Sequence, residues 1–466
     1  MGMAVAGTPV GRAQSRLEAN GAGGTSVASA ASTVSASPTP AASSPVDLDR
    51  RIEALEQELA ELRTELTSRK AAETAAASPA APASTPAPAA APQDNKPPEK
   101  VSIASLLGPT SVSGFVDTYY QYNSNHPVGN SAGFRAFDFR SKGISLNMVE
   151  LIVDKAPDAS GPAGRTGYHV SLGFGDAMNT VNASDTAAGI GFAQYLKEAY
   201  FSYLAPVGKG LQIDIGKFVT PMGAEVIESK DNWNYSRGLL FTYAIPFFHF
   251  GARAKYTFND KYNVTGFVLN GWNNIVDSNS GKTYGISFGW NPNKKTSATL
   301  NYLAGPEQAT GAYGPTINVN DIWRQTWDLV ATYNPTSKLS FMANFDYGRG
   351  DRSFINIPTK VYWTGGAGYA KYALDDKDYV AARYEYFEDH DGFTTGPLSP
   401  LPRLHLNEIT ATYQRTVAAH LLTRLEFRRD KANFPVFPYS HFTPLVKDQN
   451  TATLGLIFLF DSREAK

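Results

Sequence analysis

From about residue 111 to residue 460, apolar and polar positions alternate with a period of two, the signature of strands rather than helices. In FHFGARAKYTF (248–258), Phe248, Phe250, Ala252, Ala254, Tyr256 and Phe258 share one face. His249, Gly251, Arg253, Lys255 and Thr257 share the other. Leu339, Phe341, Ala343, Phe345 and Tyr347 alternate in the same way with Ser340, Met342, Asn344 and Asp346. Tyr284, Ile286, Phe288 and Trp290 oppose Thr283, Gly285, Ser287 and Gly289, and Leu454, Leu456, Phe458 and Phe460 share a face near the end. A soluble sandwich turns such a face to a protein core, whereas an outer-membrane barrel turns it to lipid. No single strand decides between them.

The runs fall near 112–122, 143–154, 166–176, 195–205, 210–218, 248–258, 261–271, 282–291, 296–305, 322–334, 338–348, 360–373, 377–388, 404–417, 419–429 and 451–460, about sixteen in all. Their connections alternate. PDASGPAG, PVGKG, ND, NPNKK, NPTS and DDKD are short or turn-like, and between them lie long stretches such as 177–194, 219–247 and 430–450. A sandwich has no reason to keep its long loops at every other connection, whereas an up-and-down outer-membrane barrel joins short periplasmic turns to long external loops. Strands of about ten residues match a tilted bilayer span, and the need to pair every backbone group in lipid forces closure. The expected fold is therefore all-β, a transmembrane antiparallel barrel of about sixteen strands over 111–466. Both ends of the series lie on the short-turn side, which places the termini in the periplasm.

The first hundred residues differ. Residues 1–44, rich in Ala, Ser, Thr, Gly and Pro, cannot bury enough apolar surface to order themselves, and MGMAVAGTPVGRAQS lacks the basic start and apolar centre of an export signal. In 45–70, Leu48, Ile52, Leu55, Leu59, Leu62 and Leu66 recur at steps of four and three. That seam describes either a short coiled coil giving a periplasmic contact or a lone charged helix. Residues 71–110 form a Pro/Ala-rich linker.

Net charge is -1 among 466 residues, which argues against nucleic-acid binding. There is no cysteine, hence no disulfide or thiolate metal site. The 24 Tyr and 26 Phe suit a β-rich chain, and Tyr119, Tyr120, Tyr122, Tyr302, Tyr333, Tyr384 and Tyr386 lie near strand ends, where a headgroup-level girdle belongs. No enzyme is indicated: no GxSxG elbow, phosphate-binding glycine loop or metal-ligand spacing of the seven His is present, and no cofactor is expected. Glu388, Asp389, His390 and Asp391 in YFEDHDGF read as a cation cluster or as a solvated loop.

Sixteen strands leave a lumen holding water rather than a filled core. Parity turns Asp117, Glu198, Asp214, Arg253, Lys255, Asp328, Asp346, Arg383, Glu385, Glu408, Arg424, Glu426 and Arg428 towards it. The connection 219–247 is long and mixes Glu225, Glu228, Lys230, Asp231 and Arg237 with Leu239, Leu240, Phe241, Tyr243 and Ile245. Loops of such length are usually functional. Either it folds inward and narrows the channel or it covers the mouth or a subunit contact. The expected pore-lining set is Glu225, Glu228, Lys230, Asp231, Arg237, Arg253, Lys255, Arg383, Glu385, Arg424, Glu426 and Arg428, and Arg253, Lys255, Arg383, Arg424 and Arg428 form an anion ladder if they share one wall.

SGFVDTYYQYN after the linker, KEAYFSYL, LQIDIGKFVTPMGAE and PFFHFGARAKY resemble the OmpL-like β-barrel porin family of Gram-negative outer membranes over 111–460, about three-quarters of the chain. The resemblance implies a passive channel for small hydrophilic solutes or ions, surrounded by outer-membrane lipid, commonly trimeric, with the third external loop inside the pore. A tether or adhesion barrel is the competing expectation. Porin chains typically end on an aromatic residue, whereas here DSREAK follows Phe460.

Overall fold

The structure is a computed structural model, which describes residues 109–463 apart from 162–163, 184–190, 355–356, 397–402 and 441–444. The helix expected over 45–70, the linker and the segment 1–44 lie outside the described residues. Sixteen strands pair antiparallel with sequence neighbours and close when β1 (Ser111–Asn123) meets β16 (Asp448–Asp461). Between them run β2 (Ile144–Lys155), β3 (Thr166–Phe174), β4 (Leu196–Ala205), β5 (Leu211–Val219), β6 (Phe248–Asn259), β7 (Tyr262–Leu269), β8 (Thr283–Asn293), β9 (Thr296–Pro306), β10 (Trp323–Tyr333), β11 (Leu339–Phe354), β12 (Ile357–Ala373), β13 (Asp378–Asp389), β14 (Leu404–Ala418) and β15 (Leu421–Ala432). Among the described residues no open sheet edge remains, as lipid requires.

Short side chains build the short turns. Asn259 Oδ1 accepts from the amides of Lys261 and Tyr262, Asn293 Oδ1 from Lys295, and Thr336 Oγ1 from Lys338 and Leu339. Asp375 does the same for Lys377 and Asp378, and those two bonds hold its carboxyl below the usual range. Each turn thus closes on its own side chain.

The outward faces follow the alternation: Tyr284, Ile286, Phe288, Trp290, Phe341, Phe345, Leu454, Leu456, Phe458 and Phe460 are exposed. Three expectations need correction. Phe248 is fully buried, with Lys217 Nζ 4.1 Å from its ring centre. Tyr119 points inward, its hydroxyl accepting from the Arg140 amide, and so does not belong to the girdle with exposed Tyr120 and Tyr122. GDRSFINIPT (350–359), which falls between the predicted runs 338–348 and 360–373 and reads as a long connection, is largely strand, since β11 and β12 stay paired as far as Phe354 and Ile357.

The lumen is not uniformly aqueous. The connections 124–143 and 220–247 fold inside and, with Phe437 of the β15–β16 connection, build a core of Phe137, Phe241, Phe247 and Tyr243 against Phe387, Leu406 and Trp363 of the wall. Phe137 meets Phe241 and Phe247 at centroid distances of 5.7 and 5.6 Å, and Tyr243 stacks on Phe387 at 5.9 Å. Apolar loop side chains are hidden here because the outside of the barrel already faces lipid. Their burial fixes the loops as part of the barrel interior.

Candidate functional site: the inward-folded loop and the charged lumen wall

The connection 220–247 leaves β5, crosses the lumen, forms the one-turn helix α1 (Leu239–Tyr243) and returns to β6. What holds its polar half is the charged inner face of β13, β14 and β15. Arg424 donates to four loop carbonyls: Ser229, Asn232 at 2.8 Å, Asn234 at 3.2 Å and Lys230 at 3.3 Å. Two positions further along β15, Glu426 accepts from the amides of Tyr235 at 2.5 Å and Ser236 at 3.0 Å. Arg428 donates to the Arg237 carbonyl at 2.7 Å. One strand therefore presents cation, anion, cation against loop carbonyls, amides and a carbonyl in turn. Charge-assisted bonds of this kind are roughly twice as strong as neutral ones.

The neighbouring strands complete the clamp. Arg383 on β13 bridges loop Glu225, at 2.5 Å, and Glu408 on β14, also at 2.5 Å, and donates to the Ser236 carbonyl at 2.7 Å. Glu385 accepts from the Leu239 amide, one of the orphan amides at the start of α1, and Glu225 accepts from Gly238 at 2.5 Å. Beyond β16 on the same side, Asp117 on β1 accepts from Ser229 at 2.6 Å, Tyr235 at 2.9 Å and Asn147 at 2.6 Å. Gly455 on β16 makes room, since a Cβ there would stand 2.6 Å from the Tyr235 ring.

Of the residues expected along the pore, Glu225, Arg383, Glu385, Arg424, Glu426 and Arg428 are thus brought together, each with at most 5% exposure. They are loop anchors. Arg237 is also buried, stacked 4.6 Å from the Phe137 ring centre with Nη1 on the Tyr235 carbonyl. Glu228 pairs with Lys197, which also meets Glu150 at 2.7 Å and Glu198 at 3.4 Å. Lys230 pairs with Asp231 at 2.6 Å, and both keep contact with water. Arg253 lies away from the clamp on β6, paired with Asp214 at 2.8 Å and stacked 4.5 Å from Phe218. Lys255 is exposed on the same strand. Arg383, Arg424 and Arg428 share the β13–β15 wall, while Arg253 and Lys255 stand on β6, so the five cations do not form one ladder.

Three groups escaped sequence reasoning. Lys197 sits where the β3–β4 register shifts, so parity hid it. Arg135, from 124–143, pairs with Asp430 at 3.2 Å and with Asp138 of the same connection at 2.6 Å, and FRAFDF with its alternating rings and charges was the available signal. Lys371 on β12 lies with Nζ 4.9 Å from the Trp233 ring centre and 5.6 Å from that of Tyr379. The suspected cation cluster at 388–391 disperses: Asp389 receives the amides of Phe393, Thr394 and Thr395, Glu388 pairs with Arg403, and His390 meets Asp391.

Along β7 to β11, outside the clamp, the inner wall keeps polar side chains in contact with water, among them Asn263, Ser297, Thr299, Thr332 and Ser340. A closed sixteen-stranded barrel with an apolar outside, a polar inside and a long connection folded across its lumen is an outer-membrane porin. The chain belongs to the family described as "Putative beta-barrel porin-2, OmpL-like", whose model matches residues 109–460. Solved structures were also found similar. The anion-selective porin from Comamonas acidovorans aligns with TM-score 0.50 and 12% identity, covering 75% of this chain and 99% of its own. OmpT of Vibrio cholerae and the outer membrane channel DcaP of Acinetobacter baumannii each align at TM-score 0.49 and 11% identity, covering 75% of this chain and 97% of theirs. No curated protein matches the sequence.

Proposed function

We propose that solutes pass between the inward-folded loop and the β6–β12 wall, and that this passage favours small anions. The carrying observation is an imbalance among side chains that meet water. Lys255 has no carboxylate partner among the described residues, and Lys371 meets rings rather than acids. The most exposed acids of loop and inner wall, Asp231 and Asp154, are instead matched by Lys230 at 2.6 Å and His169 at 2.9 Å. Two unmatched cations in a narrow, partly desolvated channel raise local anion concentration. Glu225, Arg383, Glu385, Arg424, Glu426 and Arg428 contribute indirectly by fixing the loop that sets the width.

The test is reversal potential under a salt gradient in planar bilayers. Wild type should prefer chloride, and Lys255→Glu with Lys371→Glu should shift the preference towards potassium. An unchanged reversal potential would remove the anion reading. Deleting 225–237 should raise conductance, and unchanged conductance would remove the constriction.

Further parts of this reading concern assembly. β1 begins and β16 ends on the short-turn side, which supports placing that side and the N-terminal segment in the periplasm. The outer faces of β13–β16 and β1 bound a groove of about 590 Å³ between Tyr120, Val380, Ala411, Leu425, Phe427 and Leu454, a surface suited to a neighbouring barrel in a homotrimer. The barrel acts as a channel rather than an enzyme.

A further inference from the structure

We propose that the inner wall of β9–β11 holds a divalent cation, of calcium type, between Asp328 and Asp346. The two residues stand directly opposite each other on β10 and β11, on the lumen face, and both are fully buried. Their carboxyls lie within hydrogen-bonding reach of each other. Among the described residues no Lys, Arg or His forms an ion pair with either.

Asp328 is well supplied with neutral donors. Asn301 Nδ2 donates to Oδ1 at 2.7 Å, Asn344 Nδ2 to Oδ2 at 2.8 Å, and the Gly223 amide adds a third bond. Asp346 is not supplied at all: both of its oxygens lack a donor. Two carboxylates this close cannot both stay ionised without a proton or a cation between them. A shared proton satisfies only one Asp346 oxygen. It leaves the second, and also Asn301 Oδ1, which is likewise buried without a partner in the same cross-strand row. A cation bound by oxygen takes all of these at once, because carboxylate and amide oxygens keep spare lone pairs after accepting one bond. Calcium accepts six to eight such oxygens with flexible geometry, and water fills what the protein leaves open.

The location gives the ion a task. Asn301 Nδ2 also donates to the Pro221 carbonyl at 3.1 Å, and Asn344 Oδ1 accepts from the Ala224 amide at 3.1 Å. The ion would brace the side chains that hold the loop where it enters the lumen, on the stretch of wall beyond β12 from the arginine clamp. This role is independent of which solute the channel passes.

The experiment uses the full chain refolded in detergent micelles and freed of metal with chelator. Terbium serves as probe, because Trp363 packs against Gly348, two positions from Asp346, and can sensitise its luminescence. Sensitised emission that calcium displaces, reduced at least tenfold in Asp346→Asn and retained in Asp231→Asn, is the expected result. Emission equal in Asp346→Asn and wild type overturns the site. Should Asp346→Asn fail to give a heat-modifiable folded band, equilibrium dialysis of wild type decides: one calcium bound per chain supports the proposal, and none overturns it in favour of a shared proton.

Discussion

Replacing Arg424 by alanine should release the inward loop without opening the barrel. The guanidinium donates to the carbonyls of Ser229, Lys230, Asn232 and Asn234, all within one turn of loop, while its strand remains paired to β14 and β16 through backbone bonds the substitution does not touch. A hydrogen bond from a charged donor contributes about 1.5–3 kcal/mol, so four contribute about 6 kcal/mol with the low-end value. The freed carbonyls face space vacated by the side chain and regain water, which returns roughly half. The net loss is about 3 kcal/mol, or a hundredfold rise in the open-loop population. Trypsin reads that population directly, because Lys230 and Arg237 lie within the clamped segment and cleavage there requires the loop to leave the wall. Cleavage of Arg424→Ala protein at these bonds should be about a hundredfold faster than wild type, with noisier single-channel current, whereas Lys255→Ala should match wild type. Equal cleavage rates and equal noise in Arg424→Ala would refute the clamp.

Three other substitutions probe separate parts of the architecture. Gly455→Val brings its side chain into the Tyr235 ring, and overpacking of this kind costs about 1–3 kcal/mol, to be read as a lower urea midpoint. Lys197→Met leaves Glu150, Glu198 and Glu228 without their shared cation, a loss of about 3–5 kcal/mol in the same assay, which a paired Glu228→Gln should partly restore. Leu329→Arg puts a charge on the lipid face of β10, where it costs about 2–4 kcal/mol near mid-bilayer and should lower the folded yield in vesicles while leaving ion selectivity unchanged.

The strands were legible because membrane strands are long and a period of two survives for ten residues. β8 and β16 show this best: every predicted lipid-facing residue from Tyr284 to Trp290 and from Leu454 to Phe460 is exposed. The extension of β11 and β12 was not legible, since GDRSFINIPT carries Gly, Asp, Asn and Pro and pairing there depends on a partner strand rather than on local pattern. Parity also identified the inward charges but not their contacts. Arg383, Glu408 and Arg428 lie on three successive strands, and their meeting with Glu225 depends on register and on where a loop more than a hundred residues away comes to rest.

That distinction bears on how any porin lumen is read from sequence. A charged side chain facing inward has two uses: it can stay hydrated and act on solutes, or it can be desolvated and hold a loop. Burying an ion is tolerated only where partners replace its water, so the densest charge on a wall is the charge most prone to be used up by structure. Here β15 carries Arg424, Glu426, Arg428 and Asp430 inward, the strongest charge pattern in the chain, and all four are buried against loop backbone or each other. The sparse wall of β6 and β12, with Lys255 and Lys371 far apart, keeps its charges in contact with water. The proposed anion preference rests on the isolated cations for this reason, with the crowded face proposed to set the width of the passage they act on.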